Sequence, residues 1–296
     1  MIIKIIRWAR NLARGQVEIL ARIHKVQEAV GRIEARQVMA QPGDLRSAEF
    51  RVFSQWGEDG IIQRLLQLVP IAHKVFVEFG VQNYQESNSR FLLINNNWSG
   101  LVIDGSADNI AYIKNDPIYW QHNLKAECAF ITKDNINTIL ERSGMIGEIG
   151  LLSIDIDGND YWIWKEISVV RPAIVVCEYN ARFGSKRAIT IPYQSDFVRE
   201  NAHFSNIYYG ASLQALSRLG ETKGYALAGC NSAGNNAFFV RQDLLSGSIR
   251  KLTAEEAFVP CRFRESRTPD GALAHLSFEE ECTLLDSLPL VDLDAP

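Results

Sequence analysis

Two acidic signatures carry the chemistry this chain could do. Asp155-Ile-Asp157-Gly-Asn-Asp160 follows one apolar run, and Glu178-Tyr-Asn180 follows another, Ala-Ile-Val-Val-Cys. Strand alternation puts Asp155 and Asp157 on one face. Carboxylates gathered there repel unless a cation or a proton lies between them. Asp157, Glu178 and Asn180 together would offer three hard oxygen ligands suited to Mg²⁺ or Mn²⁺. Such an ion would lower the pKa of a bound hydroxyl. Without it, Asp157 or Glu178 would act as a general base. The structural alternative is that Asp157 caps a helix over 161–167 while the acids bind sheet-end amides. His203, in a long stretch rich in Arg, Tyr and Ser, is a further candidate base or simply a solvated loop histidine.

A second constellation lies upstream. Val75-Phe-Val-Glu78-Phe-Gly80-Val-Gln82 is an apolar run ending in a glycine turn, and Leu101-Val-Ile-Asp104 ends in an acid 26 residues after Glu78. This is the grammar of a nucleoside-binding βαβ unit, in which the acid accepts hydrogen bonds from ribose hydroxyls. Gln82 and Tyr84 replace the small residues of a dinucleotide fingerprint, which disfavours a nicotinamide enzyme. A nucleoside without a pyrophosphate fits better, with S-adenosylmethionine as the candidate. Glu78, Gly80, Gln82, Asp104 and Asp155 would line its site, and Glu127 could meet the adenine amine. Ser54-Gln55-Trp-Gly-Glu58-Asp59 either caps a helix through Ser54 or Asp59 or covers the cofactor through Gln55.

These residues need a scaffold. Strands are predicted at 75–79, 100–104, 124–128, 150–156 and 173–178, separated by helical stretches, and two more at 225–229 and 236–241 form a hairpin around Gly234-Asn235. The fold class expected is α/β, a doubly wound, mostly parallel seven-stranded sheet with one antiparallel strand near an edge. Residues 45–250 would form this domain, 1–40 an N-terminal amphipathic helix and 251–296 a C-terminal extension. In that tail, Arg262-Phe-Arg264-Glu-Ser-Arg267 reads as a solvated charge run or as a cover for an anionic acceptor.

Ile2, Ile5, Ala9, Leu12, Gln16, Ile19, Ile23, Val26, Val30 and Ile33 form a heptad seam. It predicts a homo-oligomeric coiled coil through 2–37, a basic helix on a membrane surface, or a helix packed on its own domain. Residues 1–37 hold eight Lys/Arg against three Glu, although the 296-residue chain carries −4 overall. That balance argues against a nucleic-acid partner. Five cysteines without a CxxC pair suggest a reducing compartment, with Cys128 and Cys177 as buried thiols. A cytoplasmic protein, free or peripheral at the inner face of the membrane, is expected.

Over roughly residues 50–245 the chain resembles the FkbM-like methyltransferase family. The matching segments are Val-Glu-Phe-Gly-Val-Gln around Gly80, Leu-Leu-Ser-Ile-Asp-Ile-Asp-Gly158, Pro172-Ala-Ile-Val-Val-Cys-Glu178 and Gly234-Asn-Asn-Ala-Phe-Phe-Val240. The family's second motif usually reads Lys-Ile-Asp-Val-Glu-Gly; here Ser153 and Asp157 replace the Lys and the Glu. The resemblance implies a class I fold, S-adenosylmethionine and methyl transfer, often to a hydroxyl of a small-molecule or glycan acceptor. An acid after strand four with an acid and Asn after strand five also resembles catechol-type O-methyltransferases, which have adjacent Asp-Asn where this chain has Glu178-x-Asn180. The competing expectation is a catalytically silent scaffold of this fold in a glycan-assembly complex.

Overall fold

The computed structural model describes residues 2–40 and 43–294, with side chains from Gly15 onward apart from Val17. In chain order the elements are α1 (Ile2–Ala40), α2 (Glu58–Leu68), β1 (Val75–Phe79), α3 (Arg90–Asn95) and β2 (Ser99–Asp104). Then follow α4 (Ala107–Asn115), α5 (Pro117–Gln121), β3 (Leu124–Cys128), α6 (Ile136–Arg142), β4 (Gly147–Ile154), α7 (Asp160–Glu166) and β5 (Val170–Glu178). The chain continues through β6 (Ile189–Thr190), α8 (Arg199–Ala202), α9 (Leu213–Thr222), β7 (Tyr225–Cys230) and β8 (Asn236–Arg241). It ends with α10 (Ala254–Ala257), α11 (Phe278–Asp286) and β9 (Val291–Asp292).

Among the described residues, β1–β5, β7 and β8 form one seven-stranded sheet in the order β3-β2-β1-β4-β5-β8-β7. β1 to β5 run parallel, and β8 is antiparallel to both of its neighbours. The expected doubly wound layout is therefore present, with the reversed strand next to the edge. The apolar runs give central strands because both sheet faces are covered. Val77, Leu152 and Val175 pack on one side, and Phe76, Leu151 and Ile174 on the other. Neither face of these strands can alternate with polar residues.

The order reverses between β1 and β4, so their carboxyl ends open into a crevice at the switch point. β4 ends at Ile154, two residues short of the expectation. Asp155 and Asp157 thus stand on the loop after the strand, and Asp157 has φ +56°. Their proximity comes from that loop, not from strand alternation.

The C-terminal residues close over the same end of the sheet. Tyr179 Oη donates to the Val259 carbonyl at 2.8 Å, α11 packs near Arg182, and β9 pairs with β6. Residues 251–294 are thus packed as part of the domain. α1 lies on the domain through Gly31, Ala35 and Val38, which meet Val52 and Phe91. The described part of the heptad seam faces the other way. Ile19, Ile23, Val26, Val30 and Ile33 are between 50% (Val30) and 63% (Val26) exposed. The seam residues Ile2 to Leu12 lie outside the described side chains. No described helix is long and apolar enough to cross a membrane. Cys177 is buried as expected, but Cys128, at the end of edge strand β3, is exposed.

Candidate functional site

Gly80 follows β1 in a left-handed conformation, φ +69°. Its amide bonds the Ile103 carbonyl at 3.0 Å, and β1 here runs against the Asp155 main chain. The next turn is also left-handed at Gln82 (φ +47°), which aims the Gln82 amide at Asp104 Oδ2, 2.7 Å away. Asp104 Oδ1 accepts from the Ser106 amide at 2.8 Å and Asn109 Nδ2 at 3.0 Å. Three of its roughly four lone-pair positions are filled, leaving Oδ2 able to accept one more hydrogen bond. Asp104 is buried at the end of β2 and held rigid.

Beside Asp104 is an apolar slot of about 160 Å³ lined by Gly80, Ile103, Phe130, Ile131, Ile156 and Phe197. Phe130 is 48% exposed, so the slot opens to solvent. The sequence reading did not single out Phe130 or Phe197. Phe130 was in reach of it, two residues after strand three; Phe197 arrives from a distant loop. Glu127 is not at this slot: Arg142 and Ser143 hold its carboxylate.

A polar crevice of about 310 Å³ adjoins the slot and shares Gly80, Gln82 and Asp157 with it. Gln55, Glu78, Asp155 and Glu178 also line it. Carboxylate oxygens of Asp155, Asp157 and Glu178 lie within 4.8 Å of one another. Burial pushes Glu178 well above the usual carboxylate range, and Asp155 and Asp157 push it further; Arg199 opposes this. Burial likewise raises Asp155, reinforced by Asp157 and Asp160. Glu178 is 6% exposed, and its Oε2 is buried without a hydrogen-bond partner. An unpaired carboxylate oxygen among other carboxylates calls for a proton or a cation.

Asn180 is not part of this cluster. Its Nδ2 donates to the carbonyls of Ile207 (2.9 Å) and Tyr209 (3.1 Å), and its Oδ1 accepts from the Arg182 amide. The side chain faces the protein interior to hold the loop before α9, so Asp155 takes the third place expected of it. His203 also stands apart from the crevice lining. Its Nδ1 is 2.7 Å from Ser205 Oγ and its ring lies against Phe204. Asp157 does not cap α7, whose start carries no side-chain cap; Asp160, its first residue, accepts from the amides of Ile156 and Gly158 at 2.9 Å each and so holds the loop after β4.

Glu78 lines the crevice, but its carboxylate is largely occupied by the loop after Gly80. Ser87, Asn88 and Ser89 donate to it through two hydroxyls and two amides. Its first task is to shape that loop. Asp59 plays a similar part for Val52–Ser54, accepting three amides on Oδ2, which leaves Gln55 at the crevice. Asn235, expected in the hairpin turn, and Asn236, expected to open the last strand, also line the crevice, and Asn236 pairs with Glu178 across the sheet. The turn reading of Gly234 also stands, with φ +82°.

The tail supplies Phe263 and Glu265. Glu265 Oε1 receives Arg182 Nη1 at 2.9 Å, and Oε2 receives Arg199 Nη2. Arg199 Nη1 lies 2.6 Å from Asp157 Oδ1. Arg199 therefore joins the acid cluster to the tail. Nothing in the sequence spacing could pair these residues, which come from three distant segments.

No protein-family model and no curated protein matches the chain. Solved structures that align with it include the N-terminal domain of EvdMO1 with SAH bound, at 11% identity over 72% of this chain and 94% of that one, TM-score 0.42. An S-adenosylmethionine-dependent methyltransferase from Clostridium acetobutylicum aligns at 10% identity over 64% and 91%, TM-score 0.40. An O-methyltransferase from Bacillus cereus in complex with SAH aligns at 13% over 56% and 72%, TM-score 0.33. Likeness at this level carries no functional weight; the side chains must.

Proposed function

We propose that the protein is an S-adenosylmethionine-dependent O-methyltransferase acting on a hydroxyl of a sugar or related polyol. One observation carries this reading. An apolar slot beside the open acceptor of Asp104 adjoins, across Gly80, a crevice holding a partly unsatisfied acid cluster. The slot suits a flat base, with Phe130, Ile131 and Phe197 around it and Asp104 Oδ2 receiving a ribose hydroxyl. The remainder of the donor would pass the main chain of Gly80, which lines both cavities.

The acceptor hydroxyl would sit at Asp155, Asp157 and Glu178. Its oxygen attacks the donor methyl carbon, the carbon–sulfur bond breaks, and the hydroxyl proton goes to a carboxylate. The products are a methyl ether and S-adenosylhomocysteine. Holding donor and acceptor in line supplies much of the rate. The donor set of three carboxylates, one with an orphaned oxygen, also fits Mg²⁺ or Mn²⁺. Bound there, the ion would lower the hydroxyl pKa. The exposed seam of α1 supports self-association through a second copy of the helix.

The test is calorimetric titration of S-adenosylmethionine and S-adenosylhomocysteine into wild type and Asp104→Ala, with and without Mg²⁺. Saturable binding lost in the variant is expected. A folded wild type that binds neither compound overturns the proposal.

A further inference from the structure

A third opening, of about 410 Å³, lies next to the acid crevice and is used by neither donor nor acceptor hydroxyl. Its size falls within the roughly 300–1,000 Å³ usual for small-molecule sites. Glu49 and Trp56 come from the segment before α2, Ser232 from the β7–β8 turn, and Arg262 and Phe263 from the tail. Phe263 is a wall of both this opening and the acid crevice. Trp56 follows Gln55, which lines the crevice. The two cavities are therefore neighbours on both sides.

The walls divide by chemistry. Trp56 and Phe263 stack with ring centroids 5.2 Å apart and planes 24° from parallel. Trp56 nevertheless stays 37% exposed. Glu49, Ser232 and Arg262 add polar groups to the lining, beside the apolar Phe50 and Ala233. The Glu49 carboxylate takes the Ser232 amide on Oε1 and the Ser232 hydroxyl on Oε2, which leaves each oxygen able to accept again. The Arg262 guanidinium is exposed and makes no ion pair among the described residues. A pyranose ring has a matching division, an apolar C–H face and a rim of hydroxyls that donate and accept. Aromatic side chains take the first, and carboxylate and guanidinium groups the second.

We propose that this opening is a saccharide subsite that holds the ring next to the one methylated. The inference rests on the acceptor reading above and narrows it: the substrate is a glycan or glycoside of at least two rings. One ring would place its hydroxyl at Asp157 and Glu178. The next would pass Phe263 and lie on Trp56, with hydroxyls toward Glu49 and Arg262.

The test uses ligand-observed saturation-transfer NMR and calorimetry on the full chain. The probes are cellobiose, lactose and maltose, set against methyl β-D-glucopyranoside and methyl β-D-galactopyranoside. S-Adenosylhomocysteine is titrated into the same samples, which reads the donor site separately and checks folding. At least one disaccharide should bind about fivefold more tightly than its methyl monosaccharide. Trp56→Ala should erase that gain and Trp56→Phe restore part of it, with S-adenosylhomocysteine binding retained in both. Equal affinity for one and two rings overturns the subsite, as does a two-ring preference that survives Trp56→Ala.

Discussion

A Cβ on Gly80 would stand 1.6 Å from the main-chain carbonyl oxygen of Asp155. The end of β1 and the start of the acid loop are in contact through that missing side chain. Gly80→Ala meets both the clash and the strain of φ +69°. It should lower the unfolding free energy by about 3 kcal/mol and remove S-adenosylhomocysteine binding. Urea denaturation and calorimetry read the two effects. A variant of wild-type stability and affinity would show that the loops can separate freely.

Asp104→Asn exchanges one acceptor for a donor among groups that all donate. Binding of S-adenosylhomocysteine should weaken by about 10- to 100-fold. Calorimetry gives the number. An unchanged affinity would place the ribose elsewhere.

Burial raises Asp59 to about 6, against the amides of Ser54, Val52 and Phe53, which lower it. Because the folded pKa exceeds the unfolded one, the folded state holds the proton longer. The stability linked to Asp59 is therefore complete below its ordinary value of 3.8 and is lost as pH rises through about 6. Wild type should lose about 2 kcal/mol relative to Asp59→Asn between pH 4 and pH 7.5. Urea curves at both pH values, with the difference taken between the two proteins, measure it. A pH-independent difference would mean that Asp59 is not the group that titrates.

Glu265 bridges two guanidinium groups, Arg182 and Arg199, and accepts the Tyr209 hydroxyl at 3.2 Å. Glu265→Gln leaves both cations short of a partner while altering little volume. Amide exchange over 258–286 should then accelerate by about tenfold, with β1 to β5 unaffected. Uniform acceleration across the sheet would argue that the tail is not a separate closing unit.

Ile23 and Val30 are exposed on α1, while Gly31 and Ala35 hold the helix to the domain. Ile23→Glu with Val30→Glu should therefore dissociate an oligomer without touching the fold. Light scattering should report the mass of one chain for the variant and a multiple for wild type. Equal masses would remove self-association through this seam. The double substitution is a cleaner test than deleting residues 1–37, which would uncover Val52 and Phe91.

The sequence by itself determined the sheet and the positions of Gly80 and Asp104 at its carboxyl edge. Short, β-branched apolar runs such as Ala173–Cys177 favour central strands, because both of their faces need cover. Gly80 and Asp104 were legible because each stands at the end of such a run, where chain order fixes position. Tertiary structure decided the rest. Whether Asp155 or Asn180 completes the acid cluster depends on the loop after β4, where Asp157 turns left-handed, and on carbonyls at Ile207 and Tyr209 that claim Asn180. Phe197, Arg199, Trp56 and Phe263 reach the site from segments far apart in sequence, and local periodicity holds no record of such contacts. A strand is written in its own residues; a wall shared by three loops exists only once the chain has folded.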